Sequence, residues 1–201
     1  PSRCTDIPKL RVLGVAGTAA LIQTARSFGM SVHLDGARVW NAAAALGCAE
    51  TELAGAFDLV SACFSKGLGA PVGSVVAGSK ARIHKARRVR KYLGGGMRQV
   101  GIIAAGALFA LRHHRARLVE DHHRALALWE GLQAAGWKAE RPQTNMVYVE
   151  TENAPGVAEK LGAAGIRCFA LSPERIRLVT HLDVDDVGIG RAVEVFRALR
   201  D

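Results

Sequence analysis

Cys63-Phe64-Ser65-Lys66-Gly67-Leu68-Gly69-Ala70-Pro71-Val72-Gly73-Ser74 sets a lysine at the end of an apolar run and follows it with a turn rich in glycine. The run over residues 57–64 alternates as a buried or half-buried strand does. Lys66 therefore stands where a strand opens into a loop. A lysine at such a place is ordinarily a solvated surface residue. The other chemistry open to it is that of an amine held in a pocket, partly desolvated, which condenses with a carbonyl to form a Schiff base. Gly67, Gly69 and Gly73 favour the second reading, because glycine lets the backbone approach a bulky ligand closely and adopt positive φ.

The flanking sequence supplies the fold around this lysine. Residues 18–28 carry apolar positions at helical spacing with Gly29 as a stop, and residues 31–35 form a short strand ending in a carboxylate, Asp35. A helix over 37–46 closed by Gly47, a short turn over 50–56, the strand before Lys66 and an apolar strand over 74–77 continue the alternation. This is α/β grammar, and it places Asp35 and Lys66 at strand ends on the sheet edge where open α/β folds bind ligands. Residues 1–15 read as loop.

Further on, residues 80–92 form a basic helix that Gly94-Gly95-Gly96 interrupts. Residues 98–114 and 115–135 form one long helix or two in succession, as a bridge between domains. Past Gly136 the texture changes: strands over 146–150, 166–171 and 175–180, a helix over 155–164, and a last helix over 184–199 with Asp183 as its N-cap. The expected division is residues 1–124, part of a large α/β domain, and 125–201, a small α+β domain.

Composition narrows the class. At 201 residues and 49% hydrophobic the chain can bury a substantial core. Its apolar stretches fall short of the roughly 20 residues that span a bilayer, so no membrane partner is expected. Cys4, Cys48, Cys63 and Cys168 are scattered without metal-ligand spacing, so free thiols in a reducing compartment are expected. Much of the net charge of +9 comes from Lys80, Arg82, Lys85, Arg87, Arg88, Arg90 and Lys91. A solvated helix face accounts for most of these, and few aromatics accompany them, which argues against nucleic acid as a partner. His113, His114, His122 and His123 lack the i, i+3 or i, i+4 pairing across the cluster that a helical metal site uses, and read as a solvated face with no metal.

His33-Leu34-Asp35-Gly36-Ala37-Arg38, the Lys66 run and Gly94-Gly95-Gly96-Met97-Arg98-Gln99, in that order, closely resemble the L-threonine aldolases. The likeness continues through Arg177-Leu178-Val179-Thr180-His181-Leu182-Asp183-Val184. These are pyridoxal-phosphate enzymes of the aspartate-aminotransferase fold, fold type I. The resemblance implies that Lys66 is the Schiff-base lysine and that Asp35 is the anionic partner of the cofactor's pyridine nitrogen. It implies that Arg38 lies beside the cofactor ring and helps to hold the substrate carboxylate, with Arg177 as the main carboxylate clamp. Arg98 would reach the phosphate of an adjacent subunit's cofactor, and Lys91 would lie near the same entrance. The implied reaction is retro-aldol cleavage of L-threonine or L-allo-threonine to glycine and acetaldehyde, in a homo-oligomer, dimer or tetramer, of the cytoplasm or mitochondrion.

The family's glycine-rich phosphate loop, its ring-stacking histidine and a further histidine near the substrate all precede the matching stretch. The chain thus resembles a C-terminal portion of such an enzyme. A sheet without its first strands exposes an edge and an apolar face, so alone the chain is expected to be inactive or poorly folded. Another lysine-linked lyase, such as a β-eliminating lyase or a serine hydroxymethyltransferase-like enzyme, and a non-catalytic truncated product are the alternatives.

Overall fold

The computed structural model describes residues 12–200. Its first sheet has three strands in the order β1-β2-β3: β1 (His33–Asp35), β2 (Leu59–Cys63) and β3 (Ser74–Gly78). β1 and β2 run parallel, with Asp35 opposite Ser61, so both strands deliver their C-terminal ends to the same edge. The backbone N–H of Gly36 extends this pairing by donating to Ser61 O at 2.8 Å. β3 folds back antiparallel on β2 through the lysine loop.

α1 (Val15–Ser27) precedes β1, and α2 (Val39–Leu46) and α3 (Glu50–Ala54) lie between β1 and β2. Gly47 stops α2 in the left-handed conformation at φ +63°, a place that glycine occupies without strain. α4 (Lys80–Tyr92) follows β3, capped by the Ser79 hydroxyl accepting from the Arg82 N–H, and has no buried residue. Of the one long helix or two in succession that the sequence allowed, the structure has two: α5 (Gly101–His113) and α6 (Leu118–Ala134).

The second sheet is antiparallel, in the order β4-β5-β7-β6: β4 (Lys138–Glu140), β5 (Met146–Glu150), β7 (Arg175–Val179) and β6 (Phe169–Ser172). α7 (Ala154–Ala163) and α8 (Asp186–Ala198) complete this part. One face of the sheet carries Val147, Val149, Ile176 and Leu178, which form the larger core with Leu128 and Leu132 of α6 and Phe196 of α8. Because directly opposite residues share a face, the register places Glu140, Tyr148, Arg177 and Phe169 in one row on the other side.

Three expectations about elements change. β4 is an additional strand, three residues long. The last sheet strand before Arg175 is confined to Phe169–Ser172, after α7 closes with Gly165 at φ +85° and the Ile166 N–H returns to Leu161 O at 2.8 Å. The N-cap of α8 is Asp185, whose carboxylate accepts from the Gly188 N–H at 2.8 Å, and not Asp183. α6 runs without a break through residue 125 and packs against α2 as well as α8, β4 and β5, so it links the two sheets.

Candidate active site

After β2 the chain makes a tight, hydrogen-bonded loop. The Gly69 N–H donates to Lys66 O at 2.9 Å, the Ala70 N–H to Phe64 O at 3.0 Å, and the Phe64 N–H to Gly73 O at 3.0 Å. Gly69 and Gly73 take φ of +68° and +116°, conformations that a side chain would strain. Gly67 serves differently. A Cβ there would stand 2.6 Å from Asn41 Oδ1 and 3.1 Å from Leu118 Cδ2, so glycine is needed for space. Leu68, 1% exposed, and Ala70 anchor the loop in a second core with Ala110 of α5 and Leu118 of α6, and Trp40, Ala44 and Phe64 pack against it.

Lys66, Asp35 and Arg38 line one cleft of about 900 Å³. They reach it from the ends of two adjacent parallel strands, about 4.8 Å apart, and from the start of α2. Asp35 Oδ1 accepts from the Ala37 N–H at 3.3 Å, which turns the chain from β1 toward Arg38. No carboxylate forms an ion pair with Lys66 or Arg38 among the described residues. The amine is exposed in an open cleft, not desolvated in a closed pocket as the glycine-rich sequence suggested.

The far wall comes from the second sheet: Glu140, Met146 and Tyr148, with Gln143 and Thr144 of the β4–β5 connection. Arg177 stands one strand beyond Tyr148 in the same row, outside the immediate lining. Its guanidinium lies over Phe169 at 5.5 Å, and its Nε is buried with no hydrogen-bond partner among the described residues. Neighbouring Arg175 instead pairs with Glu140 and lies over Tyr148 at 5.2 Å. Arg98 and Lys91 are exposed and do not line the cleft.

Asn41 and two histidines have structural roles that the sequence reading did not assign. His114 is not on a solvated face: its Nδ1 lies 2.7 Å from Leu68 O and, facing a carbonyl, donates. Asn41, 2% exposed, lies on the cleft wall with its Nδ2 3.2 Å from His122 Nε2. Burial holds the His122 imidazolium pKa below its ordinary value, against the opposing pull of Asp121. The neutral ring accepts the Asn41 N–H. Asn41 follows Arg38 by three residues on α2, and that spacing from the motif was the one available signal.

A primary amine, a carboxylate and a guanidinium around one cleft are the donor set that pyridoxal phosphate requires: a partner for its aldehyde, for its ring nitrogen and for an anionic group. The residues present fit that cofactor.

The chain is 43% identical over 175 residues to the low specificity L-threonine aldolase of Escherichia coli K12, covering 86% of this chain and 52% of that protein. It is 40% identical over 195 residues to low-specificity L-threonine aldolase 1 of Arabidopsis thaliana, covering 93% of this chain and 54% of that one. The chain thus spans about half the length of these relatives. The fold matches the solved structure of Leishmania major threonine aldolase with a TM-score of 0.76 at 18% identity, over 93% of this chain and 57% of that one. The architecture is therefore part of the fold type I α/β fold, with a second, antiparallel sheet. A family model described as Beta-eliminating lyase matches residues 11–154, and the chain belongs to the beta-eliminating lyase family.

Proposed function

We propose that the chain carries the lysine-bearing part of a pyridoxal-phosphate-dependent threonine aldolase, which cleaves L-threonine and L-allo-threonine to glycine and acetaldehyde. The observation that carries this reading is the convergence of Lys66, Asp35 and Arg38 on one cleft from adjacent strand ends.

When bound, the cofactor supplies an electron sink for the pair left on Cα as the Cα–Cβ bond breaks. Lys66 would hold the cofactor through its amine. Asp35 keeps a proton on the ring nitrogen. Arg38 and Arg177 hold the substrate carboxylate, a task for which a planar guanidinium is shaped. Glu140 neutralises Arg175 and leaves Arg177 without an ion-pair partner among the described residues. Arg98 and Lys91, exposed on either side of the triple glycine, serve the phosphate and the entrance of a site on a neighbouring copy. Residues 12–124 and 125–200 act as the two walls, with α6 as their link. The free Cys48, Cys63 and Cys168 fit a reducing compartment such as the cytoplasm.

Lys66 is exposed, so water reaches its link to the cofactor, and no persistent absorbance near the visible edge is expected of the chain alone. Borohydride reduction fixes even a short-lived link. Incubation with pyridoxal phosphate, reduction and peptide mass spectrometry should place the added mass on Lys66, and Lys66→Ala should remove it with circular dichroism unchanged. Label spread evenly over the surface lysines overturns the assignment. Robust turnover by this chain alone overturns its incompleteness. In any turnover, acetaldehyde with glycine marks an aldolase, whereas ammonia with a keto acid marks a β-eliminating lyase.

A further inference from the structure

Two polar side chains meet the lysine loop, and a third backs one of them. His114, at the C-cap of α5, donates to Leu68 O across 46 positions of sequence. Asn41 of α2 presses its amide against Gly67, so closely that a Cβ there would collide with Oδ1 at 2.6 Å. His122 of α6 fixes that amide through Nε2 at 3.2 Å. α6 is itself held, because Arg117 chelates the fully buried Asp121 and the Thr180 hydroxyl donates to Asp121 O at 2.6 Å.

We propose that Asn41, His114 and His122 are positioning residues for Lys66, which set the place of its amine by clamping the backbone of Gly67 and Leu68. A lysine side chain has four rotatable bonds and finds its own direction poorly. Its reach is defined only if its Cα is fixed, and here the two residues after it are fixed. The orientation of the Asn41 amide is decisive, since only its Nδ2 can donate to an unprotonated ring nitrogen. That choice turns Oδ1 to Gly67 and leaves no room for a side chain. His114 and His122 lie outside the cleft lining and Asn41 on its wall, and all three act on the reaction through the loop.

The inference rests on Lys66 being the cofactor lysine, and its test separates the two ideas. Amide hydrogen exchange is measured on the 201-residue chain for a peptide containing residues 64–70, with one from β7 as control. The reduced pyridoxal label on Lys66 is measured as its share of all lysine label. His122→Leu, which has no acceptor for Asn41, should speed exchange in the loop peptide about tenfold, the effect of one lost hydrogen bond. The β7 peptide should not change, and the Lys66 share should fall several-fold. His122→Gln, whose carbonyl can accept in place of Nε2, should keep both readouts within about twofold of wild type.

Wild-type exchange and label share in His122→Leu, or failure of His122→Gln to rescue, overturns the proposal. Should His122→Leu also loosen the β7 peptide, Asn41→Ser, too short to reach the ring, decides by the same two readouts. If wild-type Lys66 takes no label, the cofactor assignment fails, while loop exchange still decides whether the clamp exists.

Discussion

A single imidazole connects the cleft to the solvent conditions. His122 is held neutral chiefly by burial, and Asp121 opposes this while His123 adds to it. A histidine with a lowered folded pKa binds fewer protons folded than unfolded, so stability rises with pH across the interval between the two values. The contribution is complete above the ordinary value of 6.5 and is lost progressively as pH falls below it. Asp58 acts in the same direction at lower pH. Its pKa is lowered first by the Val32 N–H, which it accepts at 2.8 Å, and then by Arg82, so its contribution fades only below the ordinary carboxylate value of 3.8. Urea midpoints for the wild type should therefore decline from pH 7.5 to pH 5, and those of His122→Gln should decline less. Equal declines would show that the ring is not the titrating group. The sequence gathered four of its seven histidines over residues 113–123 with no reason to separate them; only the approach of α2 and the lysine loop makes two of the four structural. The placement of Asp35 and Lys66 after strands was legible because alternation and glycine punctuation encode it locally, whereas Arg38 was singled out by the resemblance alone.

At the scale of elements, α6 is the member on which both sheets depend. Leu118 packs beneath the lysine loop, Leu128 and Leu132 enter the larger core, and Asp121 lies between with no exposed surface. Its carboxylate meets Arg117 at 2.8 and 3.3 Å, and its backbone carbonyl takes the Thr180 hydroxyl just after β7. Removing one partner of a buried pair strands the other charge, at a cost of about 3–5 kcal/mol. Arg117 keeps some exposure, so the lower end applies. Asp121→Ala should lose about 3 kcal/mol in urea unfolding, and a loss below about 1 kcal/mol would mean that Arg117 escapes to water. The periodicity of residues 98–135 put a joint between 114 and 115 but could not decide whether the helix breaks there. His114 ends α5 with a bond to Leu68, a contact remote in sequence. β4 was illegible for a related reason: three residues carry no alternation of their own, and pairing with β5 alone makes them a strand. Asp183 and Asp185 are chemically the same cap, and only geometry chooses between them.

At the scale of the whole molecule, large apolar side chains lie exposed on neighbouring stretches of the described residues: Tyr92 at the end of α4, Leu93 and Met97 after it, and Ile102 and Phe109 on α5, with Leu93 at 81% and Ile102 at 90% exposure. A standard interface removes about 800 Å² from each partner. Such surface is unfavourable in water at about 25 cal/mol per Å² of apolar area, and association is the response open to a folded chain. Light scattering after size exclusion at about 10 μM should therefore give at least twice the chain mass. Ile102→Glu should reduce that mass. The new charge lies in the first turn of α5, where the helix dipole favours it, and an exposed position tolerates it within about 0.5 kcal/mol. A monomeric wild type would show that this face is satisfied by water. An oligomer that Ile102→Glu leaves intact would place the contact elsewhere, and would remove the support that this face gives to Arg98 acting on a neighbouring copy.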